Sequence, residues 1–189
     1  MRIFLVSFLL FAFSVPAKSV QGENMYSAQE IIAKLGLEPL DGEGGYFRQT
    51  YSRESPGASG HLATAIYYLV TPNGFSALHR LKSDEIFHFY SGDVLEMIQI
   101  SPKGELTRII IGADVMHGQV PQVLVPRGTW QGTKLVDGGR WALTGTTMAP
   151  GFEVGDFELG DREKLIQTYP QFENDIVRYS RVSGAKANE

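Results

Sequence analysis

The spacing of apolar and polar residues divides the chain into regions of different character. An almost unbroken apolar run occupies residues 3–13, and positions 27–35 then place their apolar residues at helical intervals. From residue 44 onward, apolar residues recur in short runs rich in aromatic and β-branched types, until helical spacing returns after residue 160. This order predicts a short N-terminal helix, an all-β body and one or two C-terminal helices.

The helical segments carry their own start and stop signals. Ser27 and Glu30 have the spacing of a capping box, and Gly36 can end the first helix. Asp161 can cap a second helix that runs to residue 167, and a third is predicted over residues 172–178.

The body between the helices reads as a series of short strands separated by turns rich in Gly and Pro. The chain contains 21 Gly and 9 Pro residues, which suits many tight turns. Regularly spaced short strands favour a sandwich or a barrel. The predicted strands are 46–51, 62–70, 85–90, 94–100, 106–111, 120–125, 129–135 and 141–148.

The beginning of the chain has the three parts of a signal peptide. The basic start Met1-Arg2 precedes the apolar run, and Val15-Pro16-Ala17 supplies small residues for cleavage. The run is also too short to cross a bilayer as a helix, so we expect no membrane attachment after cleavage. We predict a signal peptide at 1–17, a linker at 18–26 and a secreted or periplasmic protein. A true start at Met25, giving a cytoplasmic protein, is the alternative.

Length, charge and composition limit the remaining possibilities. The 189 residues suit one domain, predicted at 27–180 and followed by a flexible tail at 181–189. The net charge of -4 leaves no basic surface for phosphates, so we expect no nucleic-acid partner. The absence of Cys excludes disulfides, thiolate metal sites and cysteine nucleophiles.

The segment around residues 79–88 carries the densest chemistry. His79 offers an imidazole, which can exchange a proton near neutral pH, and Glu85 offers a carboxylate. His88 follows three residues after Glu85, and alternation in a strand would turn the two to opposite faces unless a bulge intervenes. All three are candidate ligand contacts, and His79 with Glu85 is the candidate acid–base pair.

Two further candidates lie on the preceding strands. Arg48 offers a planar guanidinium that can bind a carboxylate or phosphate, or else pair with a neighbouring acid. Of the adjacent Tyr67 and Tyr68, only one can point into a barrel, and Tyr67 is taken as the candidate contact. The loop with Phe152 and Phe157 either covers the barrel mouth or braces the C-terminal helix.

Residues 74–93 resemble the first cupin motif, G-x5-H-x-H-x3-E-x6-G. His79, Glu85 and Gly92 match its first His, its Glu and its closing Gly, whereas Leu81 replaces the second His and Gly74 stands one residue too close. The second motif, P-x-G-x2-H, resembles residues 126–131, where Gln131 replaces the final His.

The resemblance to cupins implies a jelly-roll β-barrel and a metal site of three His and one Glu. In this chain that set is reduced to His79, Glu85 and Gln131, and an amide is a poor ligand for a borderline divalent ion. We therefore expect no cofactor, with a divalent metal ion on these three residues as the alternative.

Residues 27–180 as a whole resemble a single-domain cupin branch of unknown function, and this resemblance implies a homodimer. The matching segments are 43–51, 76–93, 125–132 and 149–160. We predict a barrel that binds a small molecule, either a sugar or an organic acid. The alternatives are a metal-independent sugar isomerase or epimerase using His79 and Glu85, as in metal-free cupin-like epimerases, a metal-dependent enzyme with the reduced ligand set, and a purely structural role.

Overall fold

The computed structural model describes residues 26–56, 59–182 and 188. The predicted signal peptide and nearly all of the predicted linker lie outside these residues. The guanidinium of Arg181, the first residue of the predicted flexible tail, donates hydrogen bonds to the carbonyls of Glu43 and Phe75. The bounds of the domain and of the tail stay predictions.

Two antiparallel sheets form the body of the protein, as a jelly-roll barrel requires. One has six strands in the order β1-β2-β3-β10-β5-β8, and the other has five in the order β11-β4-β9-β6-β7. The strands are β1 Glu38–Pro39, β2 Tyr46–Glu54, β3 His61–Val70, β4 Ser76–Leu81, β5 Glu85–Gly92, β6 Leu95–Ile100, β7 Leu106–Ile111, β8 Gln122–Val125, β9 Trp130–Leu135, β10 Ala142–Met148 and β11 Phe157–Leu159. The predicted all-β jelly roll with terminal helices is confirmed.

Helices cover the outer face of each sheet. Helix α1, Ala28–Leu35, begins with the predicted capping box of Ser27 and Glu30 and ends at Gly36, which adopts the left-handed conformation. It packs on the six-stranded sheet with Trp141. Helices α2, Arg162–Thr168, and α3, Glu173–Arg178, cover the five-stranded sheet. Their buried contacts on that face are Leu165 and Ile176, which pack with Leu78, Ile98, Ile100, Trp130 and Tyr179.

The interior differs between the two ends of the barrel. At one end, apolar side chains from both sheets, including Phe87, Leu95, Met97 and Val123, form a buried cluster. At the other end the sheets leave a cavity, described below, whose walls are partly polar. The closed end therefore supplies the stability on which an open, polar end can be built.

Three strands of the structure, β1, β4 and β11, have no counterpart among the predicted ones. Strand β4 lies inside the segment that we had interpreted for its chemistry, and its inward and outward residues do not follow a simple alternation. Strand β11 has only three residues, and it gains its structure by pairing with β4. Among the described residues, no helix has the length and apolar character needed to cross a membrane.

Replacing Ile176 by Ala tests the contribution of the helical layer. Ile176 is fully buried between α3 and the five-stranded sheet, so the change should lower the free energy of unfolding by about 2–5 kcal/mol. The matched control is Val177→Ala on the exposed side of the same helix, which should stay within about 0.5 kcal/mol of wild type. Urea unfolding measures both, and equal effects would show that α3 does not pack as described.

Candidate functional site

The candidate site is a cavity of about 490 Å³ between the two sheets. Aliphatic and aromatic side chains form most of its walls, while a few polar groups converge at one side. Such a combination is typical of small-molecule sites. The lining residues are Leu40, Asp41, Glu43, Phe47, Gln49, Thr64, Ala65, Ile66, His79, Leu81, Glu85, Thr146, Met148, Phe152, Val154 and Phe157.

An extra residue in β4 aims two polar side chains at the same point. Between Ser76 and His79 the strand advances three residues while its partner β9 advances two, from Thr133 to Gln131. Such a bulge re-aims side chains that strict alternation would send to opposite faces. Ser76 and His79 consequently both approach the Glu43 carboxylate, whereas Leu78 packs under the C-terminal helices.

Glu43 enters the cavity from the loop that precedes β2. The Ser76 hydroxyl donates a hydrogen bond of 2.7 Å to Glu43 Oε1, and His79 Nδ1 lies 3.9 Å from the same oxygen. The next two residues, Gly44 and Gly45, both have positive φ, which residues with a Cβ rarely adopt. The buried Tyr68 hydroxyl donates to Gly44 O over 2.8 Å and holds this turn in place.

The imidazole of His79 is fixed in one tautomer. Its Nδ1 lies 2.9 Å from the carbonyl oxygen of Ala77, which can only accept a hydrogen bond, so Nδ1 carries the proton. In the neutral ring the lone pair therefore lies on Nε2, and no hydrogen bond joins Nε2 to a described residue. The ring is 2% exposed and stacks on Phe157, with centroids 5.2 Å apart. This arrangement leaves a positioned proton acceptor in the cavity.

Glu85 forms the second carboxylate of the site and is almost fully buried. Gln131 Nε2 donates to Glu85 Oε2 over 2.6 Å. Burial raises the pKa of Glu85 above its ordinary value, and the nearby Glu43 raises it further. His79 and the hydrogen bonds from Gln131 and Thr146 act in the opposite direction, but burial dominates. The Glu85 carboxyl therefore holds its proton more firmly than an exposed glutamate.

Two interior polar atoms have no hydrogen-bond partner among the described residues. They are Gln131 Oε1 and Thr133 Oγ1, which belong to alternate residues of β9 and so face the same side. Both residues are essentially fully buried. Because an unsatisfied buried polar atom costs free energy, these atoms favour a bound donor in the interior.

The segment after β10 covers the mouth of the cavity. Phe152, Val154 and Phe157 line the cavity from this segment. Of the two interpretations of this loop, the structure therefore shows the one in which it covers the barrel mouth. Outside, Glu153 pairs with His61 over 2.7 Å, and Glu158 pairs with Arg80 over 2.7 Å.

The structure brings only some of the predicted site residues together. His79 and Glu85 line the cavity, and Gln131 contacts Glu85 directly. Arg48, Tyr67 and His88 lie instead on the outer face of the six-stranded sheet.

Contacts on that outer face account for all three residues. The Arg48 guanidinium lies 5.4 Å from the centroid of the Tyr67 ring, and His88 Nε2 lies 3.1 Å from the Thr147 hydroxyl. Their neighbours along the strands, such as Phe47 and Ile66, face inward, so alternation separates the predicted contacts from the cavity. Contact of Arg48, Tyr67 and His88 with the same ligand as His79 stays a prediction, and their placement does not favour it.

The sequence analysis did not single out Glu43 or Thr146 as site residues. An acid flanked by Gly42, Gly44 and Gly45 was a usable signal, because such a run lets the backbone turn sharply toward another element. Thr146 gave no signal, since nothing distinguishes it from Thr144 and Thr147 in the same strand.

The donor set does not fit the metal site that the cupin resemblance implies. No group of three His, Asp or Glu side chains among the described residues is placed to hold one ion. The Gln131 amide donates to Glu85, and the apolar Leu81 side chain lines the cavity near them. No chemical step is therefore derived through a metal, and the expectation of no cofactor stays a prediction.

Comparison with known families agrees with this architecture. The family model described as "Cupin superfamily (DUF985)" matches residues 29–160. Protein SO0799 from Shewanella oneidensis has a crystal structure similar to this one, with a TM-score of 0.78 and 37% identity over 83% of this chain and 99% of that one. A hypothetical protein from Leishmania major is similar with a TM-score of 0.76 and 31% identity, covering 83% and 100% of the two chains.

A curated yeast protein shows a weaker similarity. The uncharacterized protein YML079W of Saccharomyces cerevisiae is 27% identical over 132 residues. The match spans 60% of this chain and 66% of the yeast protein, slightly under two thirds of its length. None of these three names specifies a ligand or an activity.

The raised pKa of Glu85 predicts a pH-dependent stability. The proton is bound more tightly in the folded state, so the stability that it contributes is fully present below about pH 4.5 and is lost as the pH rises through the raised pKa. Relative to Glu85→Gln, wild type should therefore lose free energy of unfolding from about pH 4.5 upward and then reach a plateau. Urea unfolding of both proteins from pH 4 to 8 measures this difference.

The control for that series is Glu54→Gln, on the exposed end of β2, where no burial acts on the carboxyl. A difference between wild type and Glu85→Gln that stays constant with pH would contradict the assignment of Glu85 as a buried, proton-retaining group.

Proposed function

This chain belongs to the DUF985 family of the cupin superfamily, and we propose that its barrel binds a small molecule rich in hydroxyl groups, such as a sugar. The observation that carries the proposal is the group of hydrogen-bond acceptors that converge at the inner, buried side of the cavity. The Glu43 carboxylate and the Nε2 of a neutral His79 accept hydrogen bonds there, and the Glu85 carboxyl, which holds its proton firmly, offers an acceptor oxygen as well as a donor.

The walls of the cavity support the same class of ligand. Phe47, Phe152 and Phe157 offer apolar surface to the carbon-bound face of a sugar ring, while the acceptors take its hydroxyl protons. The volume of about 490 Å³ lies within the range of small-molecule pockets.

The charge of the lining favours a sugar over the organic acid that the sequence analysis left open. No Lys or Arg among the described residues lines the cavity, and Arg48, the predicted anion contact, lies on the outer sheet face. An anion would therefore meet carboxylates without a fixed cation, which is unfavourable. Export and pairing into a homodimer stay predictions.

A second candidate function is proton transfer on the bound molecule, as in an isomerase or epimerase. The observation in its favour is the fixed tautomer of His79, which presents Nε2 as a base in a site shielded from water. In such an isomerisation Nε2 takes a proton from the carbon beside a ligand carbonyl while Glu85 gives its proton to the carbonyl oxygen; Nε2 then returns its proton to the former carbonyl carbon, and the neighbouring hydroxyl proton passes back to Glu85, so no other reactant is needed. Glu85, which retains its proton firmly, can donate a hydrogen bond to the developing oxyanion.

Ligand binding can be tested with a matched pair of histidine variants. A thermal-shift screen of neutral sugars should find stabilising ligands, and the corresponding sugar acids should stabilise less. For a sugar that binds, His79→Gln should weaken Kd by about tenfold through the loss of one buried hydrogen bond. His88→Gln, on the outer face, should leave Kd within about twofold. Stabilisation by sugar acids alone, or no stabilisation by any sugar, would contradict the proposal.

Proton transfer can be tested separately from binding. A sugar that binds is incubated with the protein in D₂O, and NMR follows exchange of its carbon-bound protons. Exchange that is retained by His88→Gln and lost in His79→Gln would support catalysis. A bound sugar that shows no exchange with wild type would leave binding as the function and exclude the isomerase for that sugar.

A further inference from the structure

We propose that the ligand of this cavity carries a positively charged nitrogen, so that the site selects ammonium compounds over neutral ones of the same shape. The inference rests on the proposed function and names the chemical class of its ligand. Three features support it: the lining of the cavity is acidic, the nearby Arg and Lys side chains pair with other groups, and phenylalanines line the walls.

The lining of the cavity is acidic. Glu43 and Glu85 converge on its polar side, and the exposed Asp41 stands at its edge. His79 is the one basic side chain that the described residues contribute to the lining. Three carboxyl groups thus face one imidazole, and that imidazole donates its Nδ1 proton to a carbonyl.

The Arg and Lys side chains near the cavity form ion pairs and hydrogen bonds with other groups. Arg80 pairs with Glu158 over 2.7 Å, and Lys82 pairs with Asp156 over 3.3 Å. Arg181 approaches the Glu43 loop, but its guanidinium donates to main-chain carbonyls and lies 3.8 Å from the centroid of the Phe75 ring. Glu43 attracts Arg181 and raises its pKa, but burial outweighs this effect, and none of these three cations lines the cavity.

Burial makes this imbalance costly. The Glu43 side chain is 12% exposed, and Glu85 is 7% exposed. A carboxylate in such a place is stabilised by an opposite charge within a few ångströms, and it otherwise takes up a proton. Burial and the neighbouring Glu43 already push Glu85 toward the protonated form. A ligand ammonium group between the two carboxylates would supply the missing charge.

The rest of the cavity is also suited to a cation. Aromatic faces attract ammonium groups, and three phenylalanines, Phe47, Phe152 and Phe157, line the walls. A protonated amine is a donor without acceptor capacity, so it matches the side of the cavity where the Glu43 and Glu85 carboxyl oxygens lie. Charge and hydrogen bonding thus point to the same group.

Matched pairs of probes that differ in charge test the inference. The pairs are choline with 3,3-dimethylbutan-1-ol, which has the same shape without the charge, and glucosamine with glucose. Isothermal titration calorimetry should show the cation of at least one pair binding about tenfold or more tighter than its neutral partner. Glu43→Gln should remove most of that preference, whereas Glu38→Gln, on the exposed strand β1, should keep it.

The outcomes separate this inference from the proposed function. Equal binding of both members in each pair, or tighter binding of the neutral members, would overturn the inference. If neutral sugars bind while neither cation does, the proposed function stands and the ammonium preference is wrong. If neither the probes nor any sugar binds, both fail. A preference that persists in Glu43→Gln would also overturn the inference, because the carboxylate pair would not be its cause.

Discussion

The hydrogen bond of 2.7 Å from the Ser76 hydroxyl to the Glu43 carboxylate joins the loop before β2 to strand β4, beside a backbone hydrogen bond of 3.0 Å from Ala77 N to the Glu43 carbonyl. It depends on the bulge in β4, which turns Ser76 and His79 to the same side. Without the extra residue, one of the two would point toward the C-terminal helices, where Leu78 lies now. The convergence of Ser76 and His79 on Glu43 is therefore a consequence of one local departure from strand alternation.

Burial of these polar groups costs free energy of folding, which the rest of the barrel has to offset. Glu43, His79 and Glu85 are removed from most of the surrounding water, and the Gln131 amide has an oxygen without a partner among the described residues. The opposite end of the barrel, filled with side chains such as Phe87 and Met97, supplies apolar burial on a larger scale. A polar end that costs stability, supported by a well-packed apolar end, is the usual arrangement of a binding site in a stable domain.

The sequence was most informative where local physics determines the structure. The capping box of α1, the stop at Gly36 and the strands with alternating apolar residues depend on near neighbours in the chain, and these elements are present as predicted. The cupin resemblance predicted that His79, Glu85 and Gln131 lie together, because it linked motifs that are distant in sequence. In the structure Gln131 contacts Glu85 directly. Glu43 and the bulge in β4 were missed, because both depend on contacts between strands that no local pattern records.

The outer layer of the protein also takes part in shaping the site. Arg181 lies beyond α3, yet it donates to the carbonyl of Glu43 and stacks on Phe75, while the carbonyl of Tyr179 accepts a hydrogen bond from the backbone of Leu78 in β4. The segment after α3 thus contacts both the loop that carries Glu43 and the strand that carries His79. Because these contacts converge from outside the barrel, the distance between the Glu43 carboxylate and the His79 ring depends on the docking of the C-terminal helices as much as on the sheets themselves.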